Sequence, residues 1–376
     1  MLFFNEGNLG AHVMGQGQLD AALHAGLERC PNVRARFAGL EPLGRLTGAI
    51  ATRPIPPLGG LELDLRTLRW HLVQALRARA AIERSLAGEG ADALLVHSHS
   101  VAMTMDARMR ATPTVLSLDV TVTDWSQMPG WRSRRPYGRA VVAPSRALER
   151  RAFERAALTI AWTGWARRSA ERVAPRARVE ELHPGIDLAR YAPAPRRERE
   201  RPRVLFVGGR FEAKGGPRLL AALGERIGES VEVDVVTPVE VPARPGLRTH
   251  RLAPGDPALL DLLQQADLLC LPTLGDAAPW AVLEAMACGT AVLATRVGGI
   301  PDMLEEGRAG ALIEPGDDRA LGEALRALLG DPARRAELAG RARERCERRF
   351  DARRQVPALI ELMRGLVADR GDRARG

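Results

Sequence analysis

A chain of 376 residues that is 45% hydrophobic and carries a net charge of +9 is long enough to bury two ordinary domain cores and too apolar to be disordered. Cys30, Cys270, Cys288 and Cys346 lie far apart with no CxxC pair, which argues against a disulfide framework or structural zinc and for a reducing cytoplasm. No segment approaches 18 consecutive apolar residues and no basic leader opens the chain, so the sequence predicts neither a membrane span nor export. The charge is regional. Residues 131–203 hold 19 Arg against 8 Asp and Glu, while the remainder nets −2. Aromatics are only 4% of the chain, whereas nucleic-acid binders interleave such charge with stacking rings, so no nucleic-acid partner is expected. Most of these arginines alternate with Ala and Glu as on solvated helices, the favoured reading. The other reading is a peripheral contact with anionic headgroups at the inner membrane face.

Taken in chain order, "MLFF" reads as a short apolar strand, "GNLGAHVMGQG" as a glycine-rich turn and "QLDAALHAGLERC" as an amphipathic helix. Strands follow at "DALLVHSH", "PTVLSLDV" and "ALTIAWT", with helices near 66–87 and 146–158 and at "GWARRSAERVA". The segment from Tyr191, rich in proline and charge without an apolar period, reads as a linker. The pattern then restarts with strands "RVLFVGG", "VEVDVVT", "DLLCLPT" and "TAVLAT" alternating with helices "PRLLAALGERIG", "PALLDLLQQA" and "PWAVLEAMACG", and closing helices follow. Short continuous apolar strands alternating with helices predict parallel sheets covered on both faces. The division expected is a Rossmann-like N-terminal domain over 1–190, a linker over 191–202, a second Rossmann-like domain over 203–350, and a C-terminal helix over 351–376 that packs back towards the first. The default ligand site is the cleft at the carboxyl ends of the strands.

Two constellations carry chemistry. Among 55 Lys and Arg only one is lysine, Lys214, in "GGRFEAKGGP". A compact ammonium where the chain otherwise uses arginine suggests a site rather than a surface, although chance is the competing reading. Pro217 stands where a first helical residue would be, so the amides of Gly215 and Gly216, with Arg210 and Lys214 beside them, are expected to offer an anion site at a helix N-terminus. In "GDAAPWAVLEAMACG", Asp276 precedes Pro279, at the expected helix entrance, and Glu284 lies within the helix. Carboxylates accept strong hydrogen bonds from hydroxyls. Cations for phosphates and carboxylates for hydroxyls together describe a nucleotide-sugar pocket.

Over 204–317 these residues, with "EAMACG", "VGGIPD" and "EPGD" in order, resemble the retaining glycosyltransferases of family 4, and the looser likeness extends over nearly the whole chain. The resemblance implies an α/β GT-B architecture whose two parallel sheets face an interdomain cleft. It implies sugar transfer from a nucleotide-diphosphate sugar to a glycan, lipid-linked or small-molecule acceptor with retention, without metal or further cofactor. It puts Arg210 and Lys214 on the donor diphosphate, Asp276 with Ala277, Ala278 and Pro279 at the transferred sugar, and Glu284 on the ribose. Two departures stand out: the first carboxylate is Asp where the family usually has Glu, and the Arg to Lys spacing is about one residue short. "HPGID" matches the segment before the linker. "DALLVHSHSVA" brings His99 to the sugar with His97 as its neighbour; a metal pair and a plain strand end are the competing readings. The family's histidine after the next strand is replaced by Asp119. Gly7 and Gly10, in the glycine-rich turn, would let backbone approach the donor. Trp125, Trp131, Trp162 and Trp165 read as core, or else as acceptor-side stacking surfaces. Rival functions are another GT-B nucleotide-sugar enzyme such as an epimerase, and a catalytically silent nucleotide-sugar binder.

Overall fold

The structure, a computed structural model, describes residues 1–5, 16–53, 65–128 and 138–373. Its strands form two six-stranded sheets. The first contains β1 (Leu2–Asn5), β2 (Arg36–Gly39), β3 (Leu94–His97), β4 (Thr114–Leu118), β5 (Leu158–Ala161) and β6 (Val179–Glu181), in the order β2-β1-β3-β4-β5-β6. The second contains β7 (Arg203–Val207), β8 (Glu232–Val236), β9 (Leu247–His250), β10 (Leu268–Leu271), β11 (Ala291–Thr295) and β12 (Ala311–Ile313), in the order β12-β11-β10-β7-β8-β9. Every pairing is parallel. The inner strands β3, β4, β5, β10 and β11 are buried along their whole length, because helices cover both faces and each side chain needs an apolar neighbour. The sequence reading found eight of these strands. The four it missed, β2, β6, β9 and β12, are the edges of the two sheets, and each leaves side chains partly exposed.

Strand order reverses once in each sheet, between β1 and β3 in the first and between β7 and β10 in the second. Loops leaving adjacent strands there go to opposite faces of the sheet and open a crevice between them. Every residue singled out for chemistry in the second half follows β7 or β10, while His97 ends β3 and His99 follows it.

The chain crosses between domains twice, at one place. The Ile186 N–H donates to the Phe350 carbonyl at 2.7 Å, and the Ala352 N–H donates to the Ile186 carbonyl at 3.0 Å. Gly185 has φ +85°, and a Cβ there would lie 2.6 Å from the backbone of Ala352, so only glycine permits the two passes to touch. After the return, the helix Ala352–Arg373 packs on the helix Gln16–Leu27, where small residues Ala22, Ala25 and Ala352 meet. His183 closes the crossing from inside, ringed by Trp162, Trp280 and Phe350 at centroid distances of 5.2, 5.6 and 5.1 Å. Burial there pushes the His183 imidazole down to about 3.

Many arginines of the basic region are paired: Arg150 with Glu154, Arg151 with Asp106, Arg167 with Glu171, Arg178 with Glu180 and Arg197 with Asp261. That is the pattern of a solvated helical surface. No helix among the described residues is long and apolar enough to cross a membrane.

Candidate active site

The turn after β7 is tight. Lys214, Gly215 and Gly216 donate their backbone N–H groups to the carbonyls of Arg210, Glu212 and Phe211 at 2.9, 3.1 and 2.9 Å. The expectation that the Gly215 and Gly216 amides offer an anion site is therefore corrected: the turn itself uses them. The glycines serve packing instead. A Cβ on Gly215, at φ +83°, would sit 2.1 Å from the Pro272 carbonyl oxygen, and one on Gly216 would sit 2.1 Å from the Phe211 ring. The turn thus lies flat against the loop that leaves β10. Thr273 completes the brace by donating to the carbonyls of Gly275 (3.0 Å) and Ala213 (3.3 Å), while Thr295 at the end of β11 donates to the Thr273 carbonyl at 2.6 Å.

This bracing brings the only lysine against Asp276. The Lys214 ammonium hydrogen-bonds Oδ2 of Asp276, and both side chains are largely buried. The other carboxylate oxygen accepts from the Ala277 N–H at 3.0 Å. Asp276 is not a helix cap, since the helix Trp280–Ala287 begins after Pro279 and takes no side-chain cap. Its backbone is gripped by the "VGG" segment: a Cβ on Gly298, at φ +55°, would fall 1.9 Å from the Asp276 carbonyl oxygen, and the Gly299 N–H donates to the Ala277 carbonyl at 2.7 Å. Asp302, in the same segment, accepts from the Trp165 N–H and so ties this wall to the first domain.

Glu284, one turn inside its helix, is buried and accepts from Gln18 Nε2 at 2.6 Å and from the Tyr191 hydroxyl at 3.3 Å. Burial pushes its carboxyl up to about 7. It is the meeting point of the first domain, the linker and the second domain.

On the facing wall, His97 stacks on Trp162 at 4.9 Å and its Nδ1 lies 3.3 Å from the Ser117 hydroxyl, which also accepts from the Trp162 indole N–H at 2.8 Å. Nε2 of His99 lies 3.6 Å from Glu149 Oε1, and the ring hydrogen-bonds the backbone of Val120. Burial pushes both imidazoles down to about 4, so both are neutral at physiological pH. Asp119, at the end of β4, is pushed up to about 6 by burial and by the Asp276 charge, while Lys214 acts in the opposite direction. His97 and His99 turn towards the first domain's interior, against Trp162 and Glu149. Trp162 is core, and Trp125 and Trp165 are partly buried. Gly7, Gly10 and Trp131 lie outside the described residues.

Comparison with known proteins decides what this geometry belongs to. The family described as "Glycosyl transferases group 1" matches residues 201–331, the stretch that carries Arg210, Lys214, Asp276 and Glu284. The chain is 29% identical to the alpha-maltose-1-phosphate synthase of Mycobacterium tuberculosis over 85% of this chain and 88% of that one. It is a nucleotide-sugar-dependent glycosyltransferase with the GT-B fold. Two solved structures share its fold end to end. The sucrose-phosphate synthase of Thermosynechococcus elongatus superposes with a TM-score of 0.70 at 18% identity, covering 98% of this chain and 99% of that one. Anabaena HepE in complex with UDP-glucose superposes with a TM-score of 0.64 at 16% identity, covering 96% and 99%. The glycosyltransferase accordingly takes its sugar from a nucleotide-sugar donor.

Sequence reasoning missed Gln18 and Tyr191, which hold Glu284, and Glu149, which is buried beneath His99 and Val122. Tyr191 carried a signal that went unused, being one of two tyrosines in the chain. Gln18 and Glu149 carried none, since each sits among ordinary helix formers. Among the described residues, no three His, Cys, Asp or Glu side chains gather in a way that would hold a metal ion.

Proposed function

We propose that the enzyme transfers a hexosyl group, glucosyl in the first instance, from a nucleoside diphosphate to a hydroxyl of a small phosphorylated acceptor, with retention at the anomeric carbon. The observation that carries the reading is the Lys214–Asp276 pair at the strand-order reversal of the second sheet. A cation there meets the charge that builds on the diphosphate as the glycosidic bond breaks, and the adjacent carboxylate accepts from sugar hydroxyls. Arg210, on the same turn, adds the second cation. Glu284 accepts from the ribose in place of Gln18 and Tyr191. Ala277, Ala278 and Pro279 form the floor under the sugar, where their small, buried side chains leave room for it.

The choice of glucose is supported by the HepE complex with UDP-glucose, and the phosphorylated acceptor by the names of the maltose-1-phosphate and sucrose-phosphate synthases. The paired arginines of the basic region support a solvated surface there over contact with lipid.

Nucleotide release from UDP-, ADP-, GDP- and TDP-glucose, with and without glucose 6-phosphate and inositol phosphates, tests the proposal. Release that requires a phosphorylated acceptor is the expected result. Release that is indifferent to every acceptor would refute transfer to that class.

A further inference from the structure

Besides the crossing at Ile186 and the bond from Gln18 to Glu284, the two domains meet at Asp302. It stands on the short helix Ile300–Met303 of the second domain, and its Oδ2 accepts from the Trp165 N–H in the first turn of the first domain's helix Gly164–Val173. Its Oδ1 lies 3.7 Å from the Arg168 guanidinium. The same helix is capped from its own chain, with Thr163 accepting from the Ala166 N–H at 3.2 Å. A carboxylate on the N-terminal amides of a helix is a favourable pairing, and here it joins residues 137 positions apart.

Two glycines make the contact close. A Cβ on Gly164 would lie 3.2 Å from Asp302 Oδ2, so a side chain there crowds the carboxylate. A Cβ on Gly299 would lie 2.6 Å from Thr163 Cγ2 and 2.8 Å from the Ala277 carbonyl oxygen. Gly299 is therefore pinched between the first domain and the residue that follows Asp276. Its N–H donates to that Ala277 carbonyl at 2.7 Å, and the Ala277 N–H donates to Asp276 Oδ1 at 3.0 Å. Contacts run without a gap from Thr163 of the first domain, through Gly299 and Ala277, to the Asp276 carboxylate. From its own domain the segment is held by Arg345, whose Nε donates to the Met303 carbonyl at 2.7 Å and whose Nη2 donates to the Asp302 carbonyl. The Asp302 side chain is 24% exposed, so water can take the place of the Trp165 amide when the domains part.

We propose that Asp302, acting with Thr163, is a positioning residue for the transfer reaction: it makes the seat of Asp276 depend on the docking of the first domain. This rests on the reading that Asp276 serves the transferred sugar. A donor bound while the first domain is undocked then stays unreactive, which guards it against attack by water.

The test uses the full chain with UDP-glucose as donor, UDP as its sugarless control and glucose 6-phosphate as acceptor, reading UDP release, calorimetric affinity and melting. Asp302→Ala is expected to lower kcat about tenfold and to weaken UDP-glucose binding at least about threefold, with UDP affinity unchanged. Asp302→Asn should restore most of kcat, because the amide oxygen still accepts from Trp165. Gly164→Ala reaches the same contact from the other domain. Alanine suits a first helical turn, so melting should hold or rise while kcat falls as it does in Asp302→Ala. Both changes remove one contact, so the double variant should be no slower than either alone. A kcat within twofold of the wild type in Asp302→Ala and Gly164→Ala overturns the proposal, and so do losses that multiply in the double variant or a UDP affinity that falls together with that for UDP-glucose. Asp276→Asn runs beside them: if it transfers normally, the reading of Asp276 has failed, whereas if it is slow and Asp302→Ala is not, only the present inference has.

Discussion

In the second domain, the residues proposed to meet the donor hang on loops braced to one another, with Thr273, Thr295 and Ala213 linking the ends of three strands and glycines letting backbone touch backbone. In the first domain, the loop after β4 is held from behind by buried polar side chains, among them Glu149, His99 and Ser169. Backbone bracing suits a ligand part common to a family, the nucleotide diphosphate, because it leaves few side chains free to vary. Side-chain bracing suits a wall whose ligand differs between relatives. A single substitution in it re-aims the loop without rebuilding the sheet.

The sharpest way to break this comparison is Lys214→Ala. Losing the donor that meets the leaving diphosphate should lower turnover about a hundredfold, on the order of 3 kcal/mol, with a smaller effect on donor affinity. Steady-state kinetics of nucleotide release check it. Next in size is Gly298→Ala, which puts a methyl on the Asp276 carbonyl at a positive φ. It should cost roughly 2 kcal/mol of stability by denaturant unfolding and slow transfer with it. If it melts and turns over normally, backbone bracing is not what places Asp276.

Glu284 gives a smaller, pH-dependent effect. Its carboxyl is pushed up to about 7 by burial, and the ionised form is the better acceptor for ribose hydroxyls. Calorimetric affinity for UDP should therefore rise between pH 6 and pH 8. In Glu284→Gln it should be flat and about fivefold weaker at pH 8, on the order of 1 kcal/mol. The smallest effect belongs to the first domain. Burial pushes Glu149 up to about 8, so its contribution to stability is full below its ordinary value of 4.5 and is lost as pH rises through 8. His97, His99 and His183 have the opposite sign: their contribution is present above 6.5 and is lost as pH falls through about 4 and about 3. Melting of the wild type should thus decline from pH 6 to pH 9 more than that of Glu149→Gln, and both should decline alike on acidification.

The same contrast explains what was legible in the sequence. Inner strands announced themselves as continuous apolar runs such as "LLVH" and "LLCL". The edge strands "RFAG", "VEE" and "LRTH" are half-polar because one side of each meets water, so no apolar run marks them. Lys214 and Asp276 could each be picked out locally, yet their pairing could not, since 62 residues separate them and only the strand order β7-β10 makes them neighbours. The free amides expected at Gly215 and Gly216 failed for a related reason: a glycine-rich turn before a helix reads as open, while here it curls back on its own carbonyls. Glu149 in "RALERRAFER" looks like any solvated glutamate, because burial of one helix face by the surrounding helices leaves no trace in a stretch this rich in arginine.

The central claim is that the carboxylate beside the only lysine serves the transferred sugar, and Asp276→Asn tests it most directly. Asparagine keeps the shape and the Oδ1 contact with Ala277 while removing the charge. The account predicts a variant with near-normal melting, near-normal affinity for UDP and transfer from UDP-glucose reduced at least tenfold. Normal transfer by a normally folded Asp276→Asn enzyme would contradict it.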